Sequence, residues 1–81
     1  MNITENERRV LEAIAHNHYG DTPGDPIWSD SINDSERPSG IEGRKLSGVC
    51  ASLEKKGLTV TGYIDAPVIA LTEAGAALIN A

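Results

Sequence analysis

The chain has 81 residues and a formal net charge of −5 at pH 7, with a single cysteine and no phenylalanine. This length provides one small aliphatic core, so it predicts a single domain over residues 1–81 and excludes an enzyme with separate substrate and catalytic layers. One cysteine excludes an internal disulfide framework, and no apolar run is long enough to indicate a signal peptide or a membrane span. We therefore expect a cytoplasmic protein without membrane contact, enzymatic activity or cofactor.

The first predicted helix begins at a capping box. The run TENE has this pattern: Thr4 is the expected N-cap, and the side chain of Glu7, three residues later, is expected to reach back to it. Apolar residues then recur at helical spacing, which predicts a helix from about Glu5 to Asn17. Its expected inward residues are Val10, Leu11 and Ile14.

A turn-rich segment, residues 18–40, follows, because Gly, Pro, Asp and Ser replace the helical pattern there. Within it, residues 26–32 (PIWSDSI) predict one or two helical turns, which Ile27, Trp28 and Ile32 anchor to the core. We expect Trp28 to fill the core rather than to bind a ligand.

The third predicted helix, residues 41–56, carries the most informative pattern of the chain. An apolar stripe predicts its inward face, and Gly57 after two lysines predicts its end. The cysteine lies on this stripe, which favours a buried, inert thiol over a nucleophile. The stripe consists of Leu46, Val49, Cys50 and Leu53.

The opposite face of this helix combines two basic residues with small side chains. Gly48 is the most informative of them, because glycine inside a helix costs about 1 kcal/mol relative to alanine. Its presence predicts a close approach by another helix of the same domain, by a second subunit or by nucleic acid. The face consists of Arg44, Gly48, Ala51 and Lys55, flanked by Ser47 and Ser52.

Charge is segregated along the chain. From Arg37 to Lys56, five basic and two acidic residues give a net charge of +3, against −8 for the remainder. The overall acidity argues against indiscriminate binding to nucleic acid, whereas the basic segment coincides with the third helix.

The remaining sequence predicts a hairpin and a short helix. Residues 58–63 alternate with period two, Ala66-Pro67 interrupts the pattern, and residues 68–71 form a second strand. Thr72 then predicts the cap of a final helix over residues 73–80. The expected inward residues of this helix are Ala74, Leu78 and Ala81.

The order helix, short helix, helix, hairpin, helix resembles that of the winged helix-turn-helix proteins, in particular the small MarR-like and phage-type members. Two motifs carry the resemblance: ASLEKKGL at residues 51–58, before the wing, and LTEAGAAL at residues 71–78, after it. The resemblance covers residues 41–81 and the first helix. It implies an α+β winged helix-turn-helix fold with three helices, a two-stranded wing and a short C-terminal helix.

The resemblance also implies a function and partners. Family members typically bind specific sequences of double-stranded DNA in transcription control, usually as homodimers, with the third helix in the major groove. In this mode arginine reads guanine, hydroxyl groups contact bases or phosphates, and lysines neutralise phosphates. The implied DNA-binding residues are Arg37, Arg44, Lys45, Ser47, Gly48, Ser52 and Lys55.

A second hypothesis is a winged-helix protein-interaction module, such as an adaptor or inhibitor that contacts a basic partner protein and does not bind DNA. It rests on the net charge of −5 and on the acidic residues 21–36. It also rests on a predicted wing tip of Asp65, Ala66 and Pro67, where family members carry Arg or Lys.

Other groups of polar residues in the chain indicate neither a catalytic site nor a metal-binding site. His16 and His18 lack the cysteines of a typical metal site, and the aspartates of residues 21–34 do not follow the spacing of an EF-hand. The sequence shows neither a matched nucleophile, base and acid nor a phosphate-binding glycine loop. We expect these histidines and aspartates to be exposed residues that promote solubility.

Overall fold

The computed structural model describes residues 2–22 and 24–80 and shows an α+β chain with three α-helices and a three-stranded antiparallel sheet. The elements are α1 (Glu5–Ala15), β1 (Ile27–Trp28), α2 (Gly43–Lys55), β2 (Thr59–Ile64), β3 (Ala66–Leu71) and α3 (Glu73–Asn80). The strand order is β1-β3-β2, so β3 is central. Within the described ranges, no helix has the length and apolar character needed to cross a membrane.

The predicted capping box starts α1. The Thr4 N–H donates to Oε1 of Glu7 at 2.8 Å, and the Glu7 N–H donates to the Thr4 hydroxyl at 3.0 Å. The helix ends at Ala15, two residues before the predicted end, because Asn17 bonds elsewhere. Its side-chain amide donates to the carbonyl of Ser31 at 2.6 Å, and its side-chain oxygen accepts from the N–H of Tyr19 at 2.9 Å.

The one or two helical turns predicted within residues 26–32 are confirmed only in part. Ile27 and Trp28 instead form β1, which pairs antiparallel with Ile69 and Val68 of β3, and only a single 3-10 turn follows over Ser29–Ser31. The β-branched and aromatic residues of β1 obtain backbone partners from β3, a distant segment that local periodicity does not reveal.

The anchoring of this segment is only partly as predicted. Ile27 and Ile32 are buried, but Trp28 is 40% exposed, so the prediction that it fills the core is wrong. Successive side chains of a strand point to opposite faces, and Ile27 occupies the inward position of this two-residue strand.

The helix predicted over residues 41–56 is confirmed as α2, with a later start. Ile41 is held outside the helix because the side-chain amide of Asn33 donates to its carbonyl at 2.9 Å and its N–H donates to the hydroxyl of Ser39 at 3.1 Å. Glu42 has an extended backbone and is the N-cap, so the helix begins at Gly43.

Gly57 ends α2 as predicted. Its φ of 75° is the left-handed conformation that favours glycine. The N–H of Gly57 donates to the carbonyl of Glu54 and that of Leu58 donates to the carbonyl of Leu53, both at 3.0 Å. These two bonds form a Schellman motif, and the buried side chains of Leu53 and Leu58 supply its apolar contact.

The predicted hairpin is confirmed in part: β2 and β3 pair, but they are longer than expected, and β1 joins them so that the sheet has three strands rather than the predicted two. Asp65, with φ of 61°, is the only residue between β2 and β3. Ala66 and Pro67 belong to β3, so the predicted interruption is wrong. Proline is accommodated because β1 pairs with β3 only at Val68 and Ile69, which leaves Pro67 with a strand on one side alone.

The core lies between the helices and one face of the sheet. In α3, Ala74 is exposed rather than inward as predicted, and Gly75 is the buried residue; Leu78 is partly buried as expected, and Ala81 lies outside the described residues. The buried apolar cluster consists of Val10, Leu11, Ala13, Ile14, Ile27, Ile32, Ile41, Leu53, Leu58, Ile69 and Leu71.

Candidate nucleic-acid interface

The orientation of α2 follows from its apolar stripe. Leu53 is fully buried, and Leu46, Val49 and Cys50 pack partly buried against the core. Burial raises the pKa of the Cys50 thiol, so the reactive thiolate is disfavoured. With this face held inward, the opposite side of α2 is directed to solvent.

We call this opposite side the outer face of α2: Arg44, Ser47, Gly48, Ala51 and Lys55, all of which are exposed. A Cβ atom built at Gly48 meets nothing within 4 Å. The close approach predicted from this glycine is therefore not made by another helix of the described domain. A second subunit or nucleic acid remain as its possible partners.

The cations of this region are available for an external partner. Among the residues described, Arg44, Lys45 and Lys55 form no ion pair. The neighbouring carboxylate of Glu54 is turned toward the sheet, where it accepts from the hydroxyl of Thr61 at 2.6 Å. The three cations therefore present positive charge that no ion pair with a described carboxylate neutralises.

A polar cluster at the flank of α2 joins it to α1. The Nζ atom of Lys56 donates to Oε1 of Glu7 at 2.7 Å, and the hydroxyl of Ser52 donates to Oε2 of Glu7 at 2.6 Å. Glu7 is 3% exposed, so its charge is buried, whereas Lys56 and Ser52 are partly exposed. The same carboxylate completes the capping box with Thr4. The side chain of Glu7 therefore both caps the N-terminus of α1 and anchors the C-terminal half of α2 to it.

The ionisation of Glu7 reflects these contacts. Burial opposes the charged form of its carboxylate. Hydrogen bonds from Lys56, Ser52 and the Thr4 backbone, together with the charge of Lys56, outweigh burial and lower the pKa of Glu7 to about 2. The ion pair is therefore present throughout the neutral pH range.

The structure separates the residues predicted to bind DNA into three groups. Arg44, Lys45, Ser47, Gly48 and Lys55 lie on or beside the exposed side of α2. The hydroxyl proton of Ser52 is directed to Glu7, as described above, which places this residue at the rim. Arg37 lies outside α2 and pairs with Glu12 of α1, its Nη1 atom 3.6 Å from Oε2.

A shallow depression of about 480 Å³ adjoins the outer face of α2 and extends it to the start of α1. It adds Asn6, an exposed amide that sequence reasoning missed, beside Arg44, Lys45 and Gly48. No local signal in the sequence marks Asn6, because its neighbours belong to a helix some 40 residues away in the chain. An amide at this position is able to donate to a phosphate or a base edge.

The acidic segment has a structural role at one of its aspartates. Asp25 accepts from the backbone N–H groups of Asp21 and Thr22, both at 2.9 Å, and from the Thr22 hydroxyl at 3.1 Å. The Thr22 bonds, followed by that of Asp21, lower the pKa of Asp25. In the described part of the chain, no three His, Cys, Asp or Glu side chains are grouped to hold a metal ion.

The tip of the hairpin differs from the outer face of α2 in its chemistry. Its turn residue is Asp65, and β2 and β3 contain no Lys or Arg.

Comparison with known proteins gives no family assignment: no protein-family model, curated protein or solved structure matches this chain.

Proposed function

We propose that this protein is a small regulator of transcription that binds double-stranded DNA by placing α2 in the major groove. The observation that carries the proposal is the exposed outer face of α2. On this face, cations that form no ion pair among the described residues lie next to a glycine with open space around it. The proposal adopts the winged helix-turn-helix mode, in which α2 corresponds to the helix predicted as the third.

The dimensions of α2 suit this role. Arg44 and Lys55 are eleven residues apart. At about 1.5 Å per residue they span roughly 16 Å of helix axis. The major groove of B-DNA is about 12 Å wide and admits one helix. Gly48 and Ala51 lie between the two cations and present almost no side-chain bulk, so the backbone is able to approach the base edges.

Each side chain has a distinct part in this mode. Arg44 is suited to a bidentate contact with guanine, and Ser47 to a base edge or a phosphate. Lys45 and Lys55 neutralise phosphates on either side of the groove. The uncharged strands and the acidic tip of the hairpin make no such contribution, so α2 and its surroundings supply most of the affinity.

Electrostatics sets the expected strength. Neutralisation of two or three phosphates gives a slope of roughly −2 to −3 for the logarithm of the binding constant against the logarithm of salt concentration. The net charge of −5 opposes additional, indiscriminate contacts. The proposal therefore implies modest affinity for random DNA and dependence on a selected sequence.

A titration of fluorescently labelled duplexes, followed by anisotropy at two salt concentrations, tests the proposal. The duplexes are a random-sequence pool and the products of several rounds of selection from it. Arg44→Ala and Lys55→Ala should each weaken binding about tenfold. The control is Arg9→Ala, because Arg9 is exposed on α1 and its charge pairs with Glu5 at 3.4 Å. Absence of binding to both duplex sets at low salt would contradict the proposal.

A further inference from the structure

Strand β2 exposes large apolar side chains on both of its faces. The exposed fractions are 53% for Val60, 74% for Tyr63 and 56% for Ile64. Val60 and Ile64 lie on the face of the sheet that points away from the helices, together with Gly62, which pairs with Val68. Tyr63 lies on the opposite face, in the same alternation as Thr61.

The outer edge of β2 is open. The strand order β1-β3-β2 places it at the margin of the sheet, and no strand in the described residues pairs with its free side. Natural edge strands are usually protected by charged side chains, proline, bulges or short length. β2 has six residues, TVTGYI, and contains neither a charge nor a proline. The opposite edge, β1, is only two residues long and follows Pro26.

Exposure on both faces identifies the kind of partner. A partner docked on one face of the sheet covers Val60 and Ile64 but leaves Tyr63 in water. A strand added beside β2 contacts side chains on both faces and also binds the free backbone groups of the edge. The pattern therefore points to strand addition rather than to a groove for a helix or a small molecule.

We propose that this edge binds the β2 strand of a second copy of the chain, antiparallel and centred on Gly62. Directly opposite residues of an antiparallel pair share a face, so a two-fold axis must pass through one residue of the strand rather than between two. With Gly62 at the axis, Val60 lies opposite Ile64 of the second copy, and Thr61 lies opposite Tyr63 of the second copy. The exposed apolar residues of β2 thus cover one another.

Charge supports a second copy as the occupant. β2 itself carries no charge, so no like charges of the two paired strands meet; the carboxylate of Glu54, which lies outside the strand, accepts from the Thr61 hydroxyl at 2.6 Å. The one carboxylate of the hairpin, Asp65, comes opposite Thr59 of the second copy, at the strand end that follows Lys55 and Lys56 in the chain. Antiparallel pairing therefore brings the acidic tip of each hairpin toward the end of α2 in the other copy, where Lys56 is paired with Glu7 and Lys55 forms no ion pair among the described residues.

The size of the contact determines its strength. One six-residue edge covers less than the ~800 Å² per partner of a standard stable interface. The dimer is accordingly weak and reversible, and it forms at high protein concentration or when two copies are held close together. It does not depend on DNA binding: the residues that pair are those of β2, and Lys55 is the one residue of the outer face of α2 toward which Asp65 of the other copy is directed.

Sedimentation velocity across a concentration series, without DNA, tests the dimer. The wild-type protein should show reversible self-association, and Val60→Lys or Ile64→Lys should raise the dissociation constant at least about tenfold, because a charge at an edge strand opposes pairing. The matched control is Ala77→Lys, since Ala77 is exposed on α3 and lies outside the sheet. Circular dichroism verifies that each variant is folded. A wild-type protein that stays monomeric to millimolar concentration, or equal loss of association in the control, overturns the proposal.

Disulfide trapping tests the register. In a Cys50→Ser background, Gly62→Cys should cross-link rapidly under mild oxidation, because opposite Cα atoms are about 4.5–5.5 Å apart and disulfides span about 4.4–6.8 Å. The additional methylene is accommodated, since a Cβ at position 62 lies 3.5 Å from Val68 Cγ2. The control is Val60→Cys on the same face of the same strand. Its two copies lie about 13 Å apart in this register. Equal rates of cross-linking for the two variants would exclude the register.

Discussion

Gly75 of α3 packs directly against the backbone carbonyl of Leu58, so closely that a Cβ atom at position 75 would overlap the carbonyl oxygen. The same carbonyl accepts from the N–H of Thr72 at 3.1 Å. The hydroxyl of Thr72 in turn donates to the carbonyl of Gly57 at 2.7 Å and accepts from the N–H of Gly75 at 3.1 Å. The two motifs at either end of the hairpin, residues 51–58 and 71–78, therefore meet in space and join the end of α2 to the start of α3.

Gly75→Ala should strongly destabilise the fold. The added methyl group meets backbone rather than a flexible side chain, so α3 must shift, at a cost of about 2 kcal/mol or more. Urea unfolding followed by circular dichroism measures this loss. Ala77→Gly serves as the control, because Ala77 is exposed in the same helix and should lose only the ~1 kcal/mol of helix propensity. Equal losses in the two variants would contradict the close contact.

Gly48→Ala should have the opposite effect on stability. The space around Gly48 is open, so alanine gains about 1 kcal/mol of helix propensity without a clash. Gly48→Gln should likewise fold, yet it should weaken duplex binding at least about tenfold, because a long side chain holds the backbone of α2 away from the groove. The measurements are urea unfolding and duplex anisotropy. Unchanged affinity in the glutamine variant would argue against close approach of DNA at this position.

Glu7→Gln should destabilise the protein near neutral pH, because the neutral side chain of glutamine cannot form an ion pair with Lys56. The pKa of Glu7 falls from 4.5 to about 2 on folding, so its contribution is complete above about pH 4.5 and is lost as the pH falls toward 2. That shift corresponds to at most about 3 kcal/mol. Urea unfolding at several pH values should show the wild-type and variant stabilities converging near pH 2.

The matched control for this pH profile is Glu5→Gln. Glu5 lies in the same first turn of α1 but its side chain is 79% exposed in its pair with Arg9. Exposed pairs contribute little to stability, so this variant should follow the wild-type profile within about 0.5 kcal/mol. A difference between wild type and Glu7→Gln that does not depend on pH would exclude the ion pair as its cause.

Asn33→Ala should loosen the approach to α2. The Asn33 side chain donates to the carbonyl of Ile41 at 2.9 Å and accepts from both the N–H and the hydroxyl of Ser39, at 2.9 and 2.6 Å. Loss of these partly buried bonds should cost about 2 kcal/mol. Hydrogen exchange should then accelerate in the first turn of α2. Exposed Asn2, which precedes α1, provides the comparison when it is replaced by alanine, and this variant should leave exchange there unchanged.

Thr59→Val should preserve or increase stability. The hydroxyl of Thr59 is buried and has no hydrogen-bond partner among the residues described. Valine has nearly the same shape and removes the cost of an unpaired polar group, about 1 kcal/mol or more. Thr61→Val is the contrasting variant, because the Thr61 hydroxyl donates to Glu54. Thermal unfolding should rank Thr59→Val at or above wild type; a clear loss of stability would indicate that the buried hydroxyl is satisfied.

The sequence by itself determined the features that depend on neighbours a few residues apart. The capping box at Thr4, the left-handed stop at Gly57 and the cap at Thr72 are each set by hydrogen bonds over three to five residues. The inward stripe of α2 follows from helical periodicity in the same way. These local rules sufficed to predict three helices and a hairpin, and thereby an α+β chain.

Only the tertiary structure decided the features that depend on distant partners. Strand β1 forms because β3, some 40 residues later, pairs with Ile27 and Trp28. Ser52 turns toward Glu7 across a separation of 45 residues, and the space around Gly48 is open because no other element packs there. Backbone pairing and buried polar contacts of this kind require the folded arrangement, since no periodicity within either segment encodes its partner.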